Sequence, residues 1–151
     1  MPGKPVIYGY NQYHRVQARA SFDANEQGRN SLLFDRPQLL MFPALQQLLR
    51  YVEGMHPGLF VVQAHCLRHQ TEKATGFGPH RDTDQQATRR VLKSVIISLN
   101  DTRSAMRLCG KDNFWYDEQG CSAEFLAEAF HESSVMDIAA VKVAFFLQPQ
   151  R

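Results

Sequence analysis

The strongest constraint on this chain is the lack of helical sequence between its apolar runs. Residues 59–67, 91–99 and 141–148 are short, rich in β-branched and aromatic side chains, and bounded by turn formers. That is the pattern of buried strands. Nothing between them reads as a regular helix of the dozen residues or so that a parallel crossover needs, so the strands are expected to pair antiparallel, as a sandwich or open barrel. One clear helix precedes them. Pro43 suits its first position, Leu45, Leu48, Leu49 and Val52 repeat as i, i+3, i+4, i+7, and Gly54 suits the residue just past its end. Its apolar face should back one sheet. The polar, aromatic stretch before about Arg36 reads as an edge strand or arm with loops.

A chain of 151 residues, 44% hydrophobic and 21% charged, has material for one core, and a single domain over 1–151 is expected. Residues 1–58 would form the arm and supporting helix, and 59–151 the strand-built core. No apolar run approaches the roughly 20 residues of a bilayer crossing, so no membrane partner is expected. The opening Met-Pro-Gly-Lys-Pro-Val-Ile-Tyr lacks the apolar stretch of a secretion signal, which suggests a cytoplasmic address, with the nucleus as the alternative. Cys66, Cys109 and Cys121 contain no C-x-x-C pair and read as reduced thiols rather than a disulfide or zinc framework. The net charge of +2 is too mild to argue nucleic-acid binding. Its distribution is uneven, however: 68–107 is basic on balance, while 112–137 has no Lys or Arg. One side of the molecule should favour anions.

Chemistry concentrates at His80-Arg81-Asp82, which follows the chain-breaking Gly76, Gly78 and Pro79. In extended backbone, residues two apart share a face, so His80 and Asp82 can present an imidazole and a carboxylate to one point. A mononuclear iron(II) site takes two histidines and one carboxylate on one face of the ion. Among the other histidines, His14, His56, His65 and His69 precede the triplet and only His131 follows it, which makes His131 the natural second imidazole. Read blandly, the triplet is a solvated turn or cap. Lys142 sits alone in the apolar run Val141-Lys142-Val143-Ala144-Phe145-Phe146. A buried ammonium is costly, so it either reaches solvent at the strand end or meets an anion such as a dicarboxylate.

Taken together, these segments resemble the iron(II)- and 2-oxoglutarate-dependent oxygenases, and within them the prolyl 4-hydroxylase-like type, over residues 60–147. The resemblance is carried by His80-Arg81-Asp82 after a Gly-rich loop, by 90–101 with its strand ending in Leu99-Asn100, by 120–125, by His131-Glu132-Ser133, and by Lys142 before a final apolar strand. It implies a mainly β (α+β) fold, a double-stranded β-helix or jelly roll with an N-terminal helix packed on one sheet. It implies that His80, Asp82 and His131 hold Fe(II), and that Lys142 pairs with the distal carboxylate of 2-oxoglutarate. The implied reaction consumes O2 and 2-oxoglutarate, hydroxylates a C–H of a protein side chain or small molecule, and releases succinate and CO2. A serine on the face of Leu92, Ser94, Ile96 and Ser98, with Ser98 the candidate, would donate to the cosubstrate; a buried serine bonded to backbone is the plainer reading. Two departures stand out: Ser104-Ala105 occupies the usual place of a glycine pair, and Ala140 that of a glycine.

Other readings compete. The segment 123–130 has good helix formers, with Phe125, Leu126, Ala129 and Phe130 as an apolar stripe. A helix there would reduce His131 to a partner of the helix dipole. His-Arg-Asp is also a kinase triplet, but Ala87 stands where that motif needs asparagine and no Asp-Phe-Gly is present. His65 and His69 have the spacing of a zinc protease, yet Cys66 replaces the glutamate and the segment reads as a strand, with one ring packed and the other facing solvent. Phe114-Trp115-Tyr116 and the loop 75–79 suit a lid or, for the aromatic run, core. Arg81, Arg89, Arg90 and Lys93 suit an anion or plain solvated surface. An oxygenase of nucleic acid, acting on 5-methylpyrimidines or N-alkyl bases, and a non-catalytic jelly-roll binding module are the alternatives in function.

Overall fold

The computed structural model describes residues 5–7, 29–69, 79–100, 105–108, 115–116, 119–120, 122–133 and 140–150. In chain order the strands are β1 (Pro5–Ile7), β2 (Arg29–Asp35), β3 (Leu59–His69), β4 (Lys93–Ser98), β5 (Ala105–Leu108), β6 (Trp115–Tyr116), β7 (Ser122–Leu126), β8 (His131–Ser133) and β9 (Ala140–Pro149). Helices α1 (Arg36–Leu40) and α2 (Pro43–Met55) lie between β2 and β3. A six-stranded sheet has the order β1-β7-β4-β9-β3-β2, and a three-stranded sheet the order β6-β5-β8. All the pairings are antiparallel except that of β1 with β7. The three apolar runs read as strands are β3, β4 and β9, side by side at the middle of the large sheet. The architecture is the expected double-stranded β-helix, or jelly roll, with its helix backing the large sheet.

Alternation along the strands splits the core in two. Val95 and Ile97 of β4 and Val143, Phe145 and Leu147 of β9 point toward the helices, where Leu39, Leu49 and Val52 meet them. Ile96, Ala123, Phe125, Ala144 and Phe146 point to the opposite, inner face. A bulge at Val62, between the pairs Val61–Leu147 and Gln63–Phe146, resets the alternation of β3. Because of it, Val61 and Ala64 both face the helices, and His65, opposite Ala144, faces inward. No helix among the described residues is long and apolar enough to cross a membrane.

The helix begins as expected, with Pro43 in its first turn after Phe42. Its end differs. Gly54 stays inside the helix, His56 forms the cap, and the left-handed turn falls at Gly58, whose φ is 85°. His56 Nδ1 donates to the Val52 carbonyl at 2.7 Å, and Nε2 lies 3.0 Å from Glu124 Oε1 on β7. Lys93 Nζ is 3.7 Å from the other oxygen of Glu124. Lys93 is therefore part of the helix-to-sheet contact rather than of an open basic surface. A second staple joins Arg36 to Glu53 at 2.7 Å and to the Val61 carbonyl at 2.8 Å, while the Val61 amide donates to Glu53 at 2.8 Å.

The segment with good helix formers is not a helix. Residues Ser122–Leu126 are β7, paired with β4 from Ile97–Ser122 to Lys93–Leu126. Alternation suits the sheet as well as a helical stripe would suit a bundle, and pairing with a central strand overrides propensity.

Candidate metal centre

His80 and His131 exchange backbone hydrogen bonds, His80 N to His131 O at 3.2 Å and His131 N to His80 O at 3.1 Å. This antiparallel bridge sets the two imidazoles side by side, with ring centroids 4.4 Å apart. β8 is in turn paired with β5 through Leu108–His131, and the His131 ring lies 4.5 Å from the Phe125 ring on the large sheet. The second imidazole is thus held between the two sheets, and the helix-dipole reading of His131 does not apply.

Arg81 is extended, with φ −114° and ψ 143°, so His80 and Asp82 share a face although Asp82 opens a 3-10 turn rather than continuing a strand. Arg81 itself is exposed, with its guanidinium 3.9 Å from the centroid of the Phe130 ring. The turn is anchored from below: the amides of Asp82 and Thr83 both donate to the Ala127 carbonyl, at 2.9 and 3.3 Å, and the Thr88 hydroxyl donates to the Asp82 carbonyl. Asp82 Oδ1 lies 3.3 Å from His80 Nε2 and 3.7 Å from His131 Nε2. Asp82 Oδ2 accepts from Ser94 Oγ at 2.5 Å. All three side chains are buried, and one ligand atom from each lies within 4.8 Å of the others. The solvated-turn reading of the triplet is therefore not what the structure contains.

The electrostatics suit a cation. Burial drives the His131 imidazole far below its ordinary pKa, so the ring is neutral. Its Nδ1 lies 3.3 Å from the Ala129 carbonyl; an N–H donated there leaves the Nε2 lone pair for a metal. Burial pushes the Asp82 carboxyl up to about 7; the Ser94 hydrogen bond opposes the rise and the Asp84 charge adds to it. A carboxylate that is costly to ionise in an apolar wall is one that a facing cation would stabilise. Two imidazoles and one acid are the donor set of a mononuclear iron(II) site with open positions.

Lys142 is buried on the inner face of β9, opposite Ser98 of β4 in the strand register. Ser98 is buried as well, whereas Leu92 is 46% exposed, precedes β4 and does not line the inner face. Of the serines on this face, the one that touches the cluster is Ser94, whereas the sequence pointed to Ser98. His65 also lies near: with Leu33, Asp82, Gln85, Thr88 and Phe146 it lines a small pocket, and burial lowers its pKa to about 4. Cys66 faces the helices, its thiol raised to about 11 by burial. Asn100, the end of the expected Leu-Asn strand, accepts the Val141 amide at 2.8 Å and so fixes the start of β9. Phe114 and the loop residues 75–78 fall outside the described residues.

The fold is a double-stranded β-helix that gathers a buried His-Asp-His cluster. Among solved structures, the chain is similar to SnoK, a non-haem α-ketoglutarate-dependent carbocyclase from nogalamycin biosynthesis, with TM-score 0.65 and 13% identity over 94% of this chain and 80% of that one. It is similar to a prolyl-4-hydroxylase of Pseudomonas putida, with TM-score 0.60 and 17% identity over 89% of this chain and 83% of that one. A 2OG-Fe(II) oxygenase family oxidoreductase of Burkholderia pseudomallei matches with TM-score 0.54 and 13% identity over 95% and 94% of the two chains. No family model and no curated protein matches the sequence.

Proposed function

We propose that this chain is an Fe(II)- and 2-oxoglutarate-dependent dioxygenase that hydroxylates a C–H bond of a protein side chain or small molecule. The observation that carries the reading is the buried convergence of His80, Asp82 and His131 on one point of the inner face. Those three residues hold the iron, and Lys142 pairs with the distal carboxylate of 2-oxoglutarate, with Ser98 beside it across the β4–β9 register. Bound iron, with 2-oxoglutarate and dioxygen, supplies the oxidising power for hydroxylation, coupled to release of succinate and CO2.

The chain's own residues bind, orient and exclude water. The His80–His131 backbone bridge sets the two residues directly opposite each other. The Ala129 carbonyl holds the His131 tautomer, the task of an outer partner at a metal site. Val91, Ile96, Ala123, Phe125, Ala127, Ala144 and Phe146 make the surrounding wall apolar, which strengthens the attraction between a buried ammonium and an anionic cosubstrate. The solved neighbours include a prolyl hydroxylase and an enzyme of nogalamycin biosynthesis. Peptidyl and small-molecule acceptors are accordingly the first to try.

The test is succinate release by the full chain with Fe(II), 2-oxoglutarate and ascorbate, against prolyl peptides, small molecules and methylated duplexes. Iron-dependent succinate that rises with one acceptor and disappears in Asp82→Ala supports the proposal. Failure to bind 2-oxoglutarate in the presence of metal would favour the non-catalytic jelly-roll module. Turnover of duplexes, with binding that weakens steeply with salt, would favour the nucleic-acid oxygenase.

A further inference from the structure

The two oxygens of the Asp82 carboxylate face different partners. Oδ1 lies toward the imidazoles, 3.3 Å from His80 Nε2 and 3.7 Å from His131 Nε2. Oδ2 accepts a short hydrogen bond, 2.5 Å, from Ser94 Oγ. A carboxylate can bind a metal through one oxygen or chelate it through both. An oxygen already engaged by a charge-assisted hydrogen bond is turned away from the ion and is a weaker second donor. Resting on the assignment of His80, Asp82 and His131 as ligands, we infer that Ser94 holds Asp82 to one metal bond and so keeps open the three coordination positions that 2-oxoglutarate and dioxygen need together.

The surroundings make this a matter of side-chain rotation. The Asp82 backbone is fixed by its own amide and that of Thr83, both donating to the Ala127 carbonyl, and by the Thr88 hydroxyl donating to the Asp82 carbonyl. The carboxylate plane is then the freedom that remains, and Ser94 fixes it. Ser94 is itself buried to 0% exposure and sits in register between Phe125 of β7 and Phe146 of β9, so its hydroxyl has little latitude. The three-ligand arrangement leaves three of six octahedral positions open. A chelating Asp82 would take one of them, leaving too few for both a bidentate cosubstrate and dioxygen. Ser94 acts through Asp82 and is a positioning residue.

The experiment compares the wild-type chain with Ser94→Ala and Ser94→Thr, each loaded anaerobically with Co(II), whose visible absorption reports coordination number. Titration with 2-oxoglutarate follows by calorimetry. In Ser94→Ala, Co(II) should bind within about threefold of wild type or more tightly, with an altered visible spectrum, and the Kd for 2-oxoglutarate should rise about tenfold as the cosubstrate competes with the second Asp82 oxygen for the metal. Ser94→Thr keeps the hydroxyl and should restore both the spectrum and the Kd. The inference is overturned if Ser94→Ala has the wild-type spectrum and binds 2-oxoglutarate as tightly as wild type. It is also overturned if metal and cosubstrate affinities fall together and threonine restores neither. Should the alanine chain fail to fold, Ser94→Val, which matches threonine in shape and lacks a donor, takes its place, and a wild-type spectrum and Kd in that variant would equally overturn the inference. A wild-type chain that binds no Co(II) would instead remove the ligand assignment on which the inference stands.

Discussion

Lys142→Met removes an ammonium while keeping the apolar stem, and its effect can be worked out from where Lys142 sits. The residue is 4% exposed, on the inner face of the strand next to β4 and opposite Ser98. Water and salt screen little there. A hydrogen bond with one charged partner contributes about 1.5–3 kcal/mol. At about 1.4 kcal/mol per tenfold change in affinity, the Kd for 2-oxoglutarate should rise about 10- to 150-fold. Calorimetric titration of Mn(II)-loaded protein under nitrogen reads this directly. Mn(II) affinity itself should hold, because the three candidate ligands lie outside β9. Lys142→Arg keeps the charge and should recover most of the loss, although its planar fork meets a carboxylate differently. The reasoning is refuted if Lys142→Met binds 2-oxoglutarate as well as wild type does, or if metal affinity collapses with it.

Two further predictions concern the framework. Phe145→Ala empties a fully buried site on the helix-facing side of β9 and should cost about 3–5 kcal/mol in urea unfolding, while Mn(II) affinity per folded molecule stays near wild type because the donors lie on the other side of the sheet. His65, with its folded pKa lowered to about 4 by burial, stays neutral in the fold while the unfolded chain takes up a proton below about 6.5. Its contribution to stability is therefore complete above pH 6.5 and lost as pH falls through about 4, about 3 kcal/mol in all. Asp82, raised to about 7, works in the opposite direction in metal-free protein, so the reading is the wild-type minus His65→Leu difference in unfolding free energy across pH 7.5 to 4. A flat difference would refute the burial argument.

The long elements were legible because their periodicity is long enough to read. Alternation and β-branching mark β3, β4 and β9, and a helical stripe marks α2. The helix α1 was missed, although Asp35-Arg36-Pro37-Gln38 carries a signal: Asp35 and Gln38 cap each other reciprocally, at 3.0 and 2.9 Å. Strands β5, β6 and β8 are two to four residues long, too short for any period, and they exist through pairing with distant segments. The same limit applied to Ala123-Glu124-Phe125, where residue preferences favour a helix and β4 decides for a strand. At the candidate site, the residue types and their order were visible, but which serine reaches Asp82 depends on strand register and on the anchoring of the 3-10 turn at Ala127, neither of which spacing reveals.

The most direct measurement of the central claim is anomalous diffraction at the manganese edge from crystals soaked with Mn(II). The account predicts one strong peak bonded at about 2.0–2.2 Å to Nε2 of His80, Oδ1 of Asp82 and Nε2 of His131. A manganese ion bound elsewhere, or no peak at this cluster with the metal in excess, would contradict it.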